Sequence, residues 1–304
     1  MFRRGIYTLL WRALAMLMYV SVTDIDMFEF LKEKNCSEVN FWRPGAQAFR
    51  ALFEDELFLF KLHAPDNYIV GGGFFGGYSY MPAFLAWDAF GEKNGKASLV
   101  ELNRAIKRYR NKQKITSDES KIGCVLLKDV FYLDRENWIP TPDDFSSSIV
   151  TGKLYDTEIS TGKAIYKKLK KCVPEVLSRS HALEEGAFRI LTTDAYARRC
   201  AITGERTLPV LEATHIKPIA DGGTHSVDNG ILLKSDLRAL FDSGYITIDT
   251  DLVVHVSRRL RADYGGGEEY ERYDGKELLI LPDLFTQYPD REALRWHNEN
   301  VYLG

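Results

Sequence analysis

The stretch "LEATHIKPIADGGTHSVDNGILLKSDLRALFDSG" (Leu211–Gly244) sets two histidines, an asparagine and several carboxylates among turn signals. Leu208–Ile216 reads as a strand ended by Pro218. "ADGGTHSVDNG" is a polar loop, "ILLK" a short second strand, and "SDLRALFD" a helix with Ser235 as its N-cap. That order puts His215 at the end of the first strand. Asn229 falls just before the second strand, and Arg238 in the first turn of the helix.

Length and composition bound what surrounds this unit. A chain of 304 residues is expected to form about two domains. Its 45% hydrophobic and 12% aromatic content supports true cores and excludes a disordered chain. The net charge of −3 shows no overall basic excess, so nucleic acid would have to meet a local basic surface. Cys36, Cys124, Cys172 and Cys200 are scattered, with no C-x-x-C pair. They read as small buried hydrophobes, with no disulfide framework and no structural zinc. "MFRRGIYTLLWRALAMLMYV" begins like a signal peptide, but Arg12 breaks its apolar run and no small-residue cleavage site follows. The run is also shorter than the ~20 residues that span a bilayer. Residues 1–17 read as a short amphipathic helix or an extension upstream of a start at Met18, and the protein as cytoplasmic, with no membrane partner.

Residues 18–160 form the first expected domain. "YVSVTD", "LFLFKLH", "NYIVGGGFF" and "IGCVLLKDVFYL" are β-rich runs separated by turns, and "ASLVELNRAIKRYRNK" (Ala97–Lys112) is an inserted helix. Residues 161–182, loop-prone with a basic helix around "KAIYKKLKK", read as a linker. Residues 183–304 form the second domain, with a helix in "EEGAFRILTTDAYARRCAIT", the unit quoted above, the hairpin "GYITIDTDLVVHVS" and the helix "REALRWHNEN". The expected fold class is α+β. "GGGFFG" (Gly71–Gly76) matches G-x-G-x-x-G, but its continuation "GYSYMPAF" opens no helix, which removes a dinucleotide site. Those glycines read as a strand end where the backbone approaches something closely.

Hydrolysis of a phosphodiester needs a base to activate water and a divalent cation to neutralise charge on the phosphate and the leaving oxygen. A neutral imidazole at a strand end, His215, suits the base. The amide of Asn229 can brace the loop, orient the histidine or offer its oxygen to a metal. With these residues in this order, "CAITGERTLPVLEATHIKPIADGGTHSVDNGILLKSDLRALFDSGYITI" closely resembles the HNH endonucleases of the bacterial predicted-restriction-endonuclease family. The likeness extends to "VSRRLR" and "WHNENVY", and to "VNFWRPG", "FLFKLHAPDNYIVGGGFF", "LAWDAFGEKNG" and "NWIPTPDD" in the amino-terminal half. It implies a ββα-metal nuclease domain with His215, Asn229 and Arg238 at the catalytic positions and a divalent ion, Mg2+ or Mn2+, as cofactor.

Two departures from that family pattern matter. Many HNH sites carry an aspartate before the first histidine, where this chain has Thr214; Glu212, on the same strand face, can supply the carboxylate. Arg238 stands where the pattern usually places a histidine. It cannot ligate a metal, but it can clamp a phosphate with two hydrogen bonds. The metal set is then Glu212, Asn229 and Asp242, although Asp242, one helical turn after Arg238, can equally pair with that arginine. Lys217 is a candidate phosphate contact, and His225 and Asp228 read as solvated loop residues.

The β-rich first domain resembles a PUA-like barrel with attached helices, of the kind found in EVE and related modified-base readers. Such readers flip a nucleotide into an aromatic-lined pocket. The resemblance makes Trp42, Phe74, Phe75 and Tyr78 candidates for stacking and Asp24 a candidate for the base edge. The expected function is that of a metal-dependent HNH endonuclease on double-stranded DNA, directed to modified bases in phage defence. A homodimer is compatible with this reading. The alternative is an HNH-fold protein that has lost catalysis and only grips nucleic acid.

Overall fold

The structure is a computed structural model that describes residues 16–115, 120–178 and 181–304, so the expected amino-terminal helix lies largely outside the described residues. The chain divides into two compact units between Ala182 and Leu183.

The first unit is built on a mixed sheet of β1 (Leu17–Thr23), β2 (Val39–Arg43), β3 (Leu57–Leu62), β4 (Tyr68–Pro82), β5 (Lys121–Tyr132), β6 (Ile139–Pro140) and β7 (Gly152–Asp156). The strand order is β2-β5-β4-β3-β1-β7, with β6 on β4. β1 and β3 run parallel and the other pairs antiparallel. Leu57–Phe60 of β3 is a continuous apolar run because both faces of the strand are covered. Phe58, Phe60 and Leu62 join one core with Phe28 and Leu31 of α1 (Ile25–Glu33). Leu57 and Leu59 join a second core on the opposite face. Helices α2 (Ala83–Phe90) and α3 (Leu99–Gln113) follow β4, and Ser98 caps α3 by accepting from the Glu101 N–H.

Two expectations change here. Residues 161–182 are not a linker: α4 (Ser160–Cys172) and α5 (Pro174–Ser178) fill most of that span. Ile165 and Leu169, one turn apart, bury an apolar stripe in the Leu57–Leu59 core while the lysines of "KAIYKKLKK" stay outside it. The glycine run lies inside β4, not at a strand end. β4 is squeezed between β3 and β5, and a Cβ at Gly72 would stand 2.5 Å from the Phe58 carbonyl oxygen.

The second unit opens with α6 (Glu185–Ala195), followed by the antiparallel pair β8 (Leu211–His215) and β9 (Gly230–Lys234) and by α7 (Ser235–Asp242). β8 starts later than expected, because Leu208–Val210 form a 3-10 turn at Pro209. Ser235 is the first residue of α7 and not its cap; its hydroxyl donates to the Val210 carbonyl at 3.0 Å. The hairpin β10 (Ile246–Ile248) and β11 (Val254–Val256) comes next, then α8 (Arg259–Tyr264), α9 (Glu268–Glu271) and α10 (Arg291–Asn300). Ile231, Leu233, Leu237, Phe241, Ile246 and Leu294 form its core. Among the described residues no helix is long and apolar enough to cross a membrane.

His297 of α10 ties this core together. Its ring stacks on Phe241 at 3.9 Å; Nε2 donates to the Phe241 carbonyl at 3.1 Å, and Nδ1 accepts from the Thr247 hydroxyl at 2.8 Å. Burial lowers its pKa from 6.5 to about 4. The unfolded chain therefore takes up this proton as pH falls below 6.5, while the folded chain resists until about 4. Stability is lost across that window, by about 3 kcal/mol. Denaturation midpoints of the second unit, followed by amide exchange in α10, should fall across it. His297→Gln should flatten the slope, and an equal slope in that variant would refute the assignment.

Candidate functional site on a two-faced strand pair

Alternation along β8 sends Glu212 and Thr214 to one side and His215 to the other. The first side meets α7. The Thr214 hydroxyl donates to Asp242 Oδ1 at 3.0 Å, Arg238 Nε donates to Asp242 Oδ2 at 3.1 Å, and Arg238 Nη1 donates to Glu212 Oε2. Burial works against the Arg238 charge, but the hydrogen bond it donates to Glu212 and the charges of Asp242 and Glu212 outweigh it and raise its pKa. A fixed guanidinium thus lies on both carboxylates that were expected to hold the ion.

Asn229 is buried and spends its amide on the loop. Its Oδ1 accepts from the Lys217 N–H at 2.9 Å, and its Nδ2 donates to the carbonyls of Lys217 and Thr224, each at 2.9 Å. Of its three expected roles, the bonds are those of a loop brace. The set Glu212, Asn229 and Asp242 therefore does not fit a divalent ion, because two members neutralise Arg238 and the third is bonded to backbone. Lys217 lies with its ammonium 5.6 Å from the Trp296 ring.

The other side of β8 faces α6. The His215 ring lies flat on Phe188, with centroids 3.9 Å apart and planes at 9°. His215 Nε2 is 3.1 Å from His225 Nδ1, which is 3.7 Å from Glu185 Oε2. Burial lowers the His215 pKa below 6.5; Glu185 opposes this and His225 adds to it. The ring is neutral at physiological pH, with a lone pair to give. His225, expected to be solvated, is a direct partner of His215. Glu185 was not among the expected site residues at all. It stands 30 positions before His215 (185 to 215) on a separate helix, and the approach of that helix had no local signal.

Gly230 permits that approach. It pairs with His215 across the ladder, and a Cβ there would stand 2.7 Å from Thr192 Oγ1 and 2.8 Å from Phe188 Cε2. Gly230→Ala is expected to cost about 1–3 kcal/mol through overpacking and to shift the His215 imidazole resonances. An unchanged denaturation midpoint with unchanged resonances would show that α6 does not rest on β9 at this point.

The first unit contains a cavity of about 500 Å³, within the range of ligand sites. Asp24 and Trp42 line it, together with Tyr19, Phe41, Phe49 and Tyr109. Asp24 Oδ1 is 3.4 Å from His63 Nε2, and Trp42 Nε1 donates to the Asn94 carbonyl at 3.1 Å. The other three expected aromatics lie off this cavity. Phe74 stacks on His181 at 3.3 Å in the core of the opposite face, Phe75 packs on Phe49 at 5.4 Å, and the Tyr78 hydroxyl donates to the Gln47 carbonyl at 3.3 Å. Their closeness to the glycine run in sequence means little, since neighbours on a strand point to opposite faces.

Residues 200–249 match the HNH endonuclease family model, a span that holds β8, β9 and α7. Among solved structures, ASCH from Zymomonas mobilis and a mutant of it are similar, at 9% and 10% identity and TM-scores of 0.33 and 0.34. They cover 51% and 49% of this chain, and the match takes in 94% and 95% of theirs. The modification dependent TagI restriction endonuclease is similar at 11% identity and a TM-score of 0.28, over 87% of this chain and 75% of that chain. No curated protein sequence is significantly similar to the chain. The span that matches the HNH endonuclease family model carries both His215 and Arg238.

Proposed function

We propose that the protein is an endonuclease that hydrolyses phosphodiester bonds in double-stranded DNA carrying modified bases, and that it restricts phage DNA in the cytoplasm. The observation that carries this reading is His215, a neutral, half-buried imidazole at a strand end inside the HNH segment. In the proposed reaction His215 takes the proton of the attacking water. Arg238, held by Glu212 and Asp242 and 39% exposed at its side chain, supplies a fixed positive charge beside the phosphate, with Lys217 as a second cation. A divalent ion belongs to this chemistry, but no step is assigned to one at the occupied Glu212–Asp242 pair. The cavity at Asp24 and Trp42 is proposed to take the flipped base, with aromatic walls for stacking and Asp24 for its polar edge.

His215→Ala should abolish cleavage by the full chain while DNA affinity stays within a few-fold, because the base acts on water and hardly on bound DNA. Retained cleavage would remove the assignment. The lowered pKa also fixes a pH dependence. The neutral form persists as pH falls, so the acid limb of the rate profile should lie below 6.5, and a limb at or above that value would contradict it.

The occupied carboxylates favour a second reading, a chain that grips DNA without cutting it. A wild type that is inert with every divalent ion, beside an active Arg238→His, would establish that reading in place of the first.

A further inference from the structure

On the α6 side of β8, three ligand-bearing side chains converge. His215, His225 and Glu185 each offer one ligand atom, and the three atoms lie within 4.8 Å of one another; among the described residues no other group of three or more histidine, cysteine or carboxylate side chains does so. We propose that Glu185, His215 and His225 form a binding site for one first-row transition-metal ion such as Zn2+, Co2+ or Mn2+, separate from the carboxylate set on the Arg238 side.

The donor set carries the choice of ion. Two imidazole nitrogens and one carboxylate oxygen suit zinc and its neighbours, whereas Mg2+ favours an oxygen octahedron and gives up its waters reluctantly. Three protein ligands leave coordination positions for solvent. The Glu185 side chain is 57% exposed and that of His225 26%, so water and ions reach the site. A plain hydrogen-bond relay accounts poorly for the geometry. His225 Nδ1 faces both His215 Nε2 and Glu185 Oε2, and a single ring nitrogen cannot bridge two partners in line. An ion placed among the three atoms satisfies all of them.

The ligands are also held before any ion arrives. Phe188 fixes the His215 ring at 3.9 Å and lies 5.9 Å from His225. His225 sits on the loop that Asn229 pins at Lys217 and Thr224. Glu185 lies in the first turn of α6, three residues before Phe188. An ion would take the lone pair of His215 Nε2. Loaded, the ring is a ligand; unloaded, it is a base. The two roles share His215 and exclude each other on one molecule at one time, so ion binding and cutting are read by separate measurements.

The test uses full-length protein stripped of metal and titrated with Co2+, read by visible d–d absorption, with Zn2+ displacement as a second measure. The expected result is one Co2+ per chain, displaced by Zn2+ but not by a large excess of Mg2+. His225→Ala and Glu185→Gln should each weaken binding at least about tenfold with unchanged circular dichroism, and Glu212→Gln should leave it as it is. No stoichiometric cobalt spectrum, a spectrum unaffected by His225→Ala, or displacement by Mg2+ would overturn the site. Cleavage assays on the same samples keep the two claims apart. Cutting without a cobalt spectrum retains the nuclease and removes the site. A cobalt spectrum that His225→Ala abolishes, with no cutting under any ion, retains the site and removes the nuclease.

Discussion

The ladder between β8 and β9 is the constraint on which the second unit depends. Its register sets His215 against Gly230 and Glu212 against Leu233, while Ile231, Leu232 and Leu233 are all buried in the core. A slip of one residue would exchange the two faces of β8, sending the imidazole toward α7. The observed register, with Glu212 bonded to Arg238 of α7 and His215 stacked on Phe188 of α6, sets which face carries which chemistry. The missing side chain at position 230 then lets α6 come close enough for Phe188 to seat the histidine.

The two faces are electrically linked although their partners differ. Asp242 raises the His215 pKa and Arg238 lowers it, both as smaller influences than burial, which lowers it most, and Glu185, which opposes burial. In pure stability terms the Arg238 network counts for little, since partly exposed ion pairs contribute ~0–1 kcal/mol. Its consequence is chemical. Arg238 sets one positive charge on the two carboxylates that were expected to hold an ion, and it cannot bind water as an ion would.

Much of this was legible in the sequence because it is local. Strand, loop, strand and helix each have their own period or turn residues, and His215, Asn229, Arg238 and Asp242 fall on them as expected. What pairs with what was not legible. Whether Asp242 bonds Arg238 or stays open depends on side-chain geometry, and the roles of His225 and Glu185 depend on how a long loop and a distant helix pack. In the first unit Asp24 and Trp42 line the cavity, while Phe74 and Phe75 are consumed by opposite cores. A lysine-rich segment such as 161–182 looks like a linker until the spacing of Ile165 and Leu169 is matched to a sheet that needs covering.

The central claim is that the cavity of the first unit selects the DNA that the His215 unit cuts. The most direct measurement is digestion by the full chain of four duplexes identical in sequence, unmodified, methylated, hydroxymethylated and glucosylated, with Mg2+ and with Mn2+. The account expects one modified duplex to be cut at least about tenfold faster than the unmodified one, roughly 1.4 kcal/mol of discrimination, and Asp24→Asn to shrink that ratio. Equal rates on all four duplexes, or a ratio that Asp24→Asn leaves untouched, would contradict it.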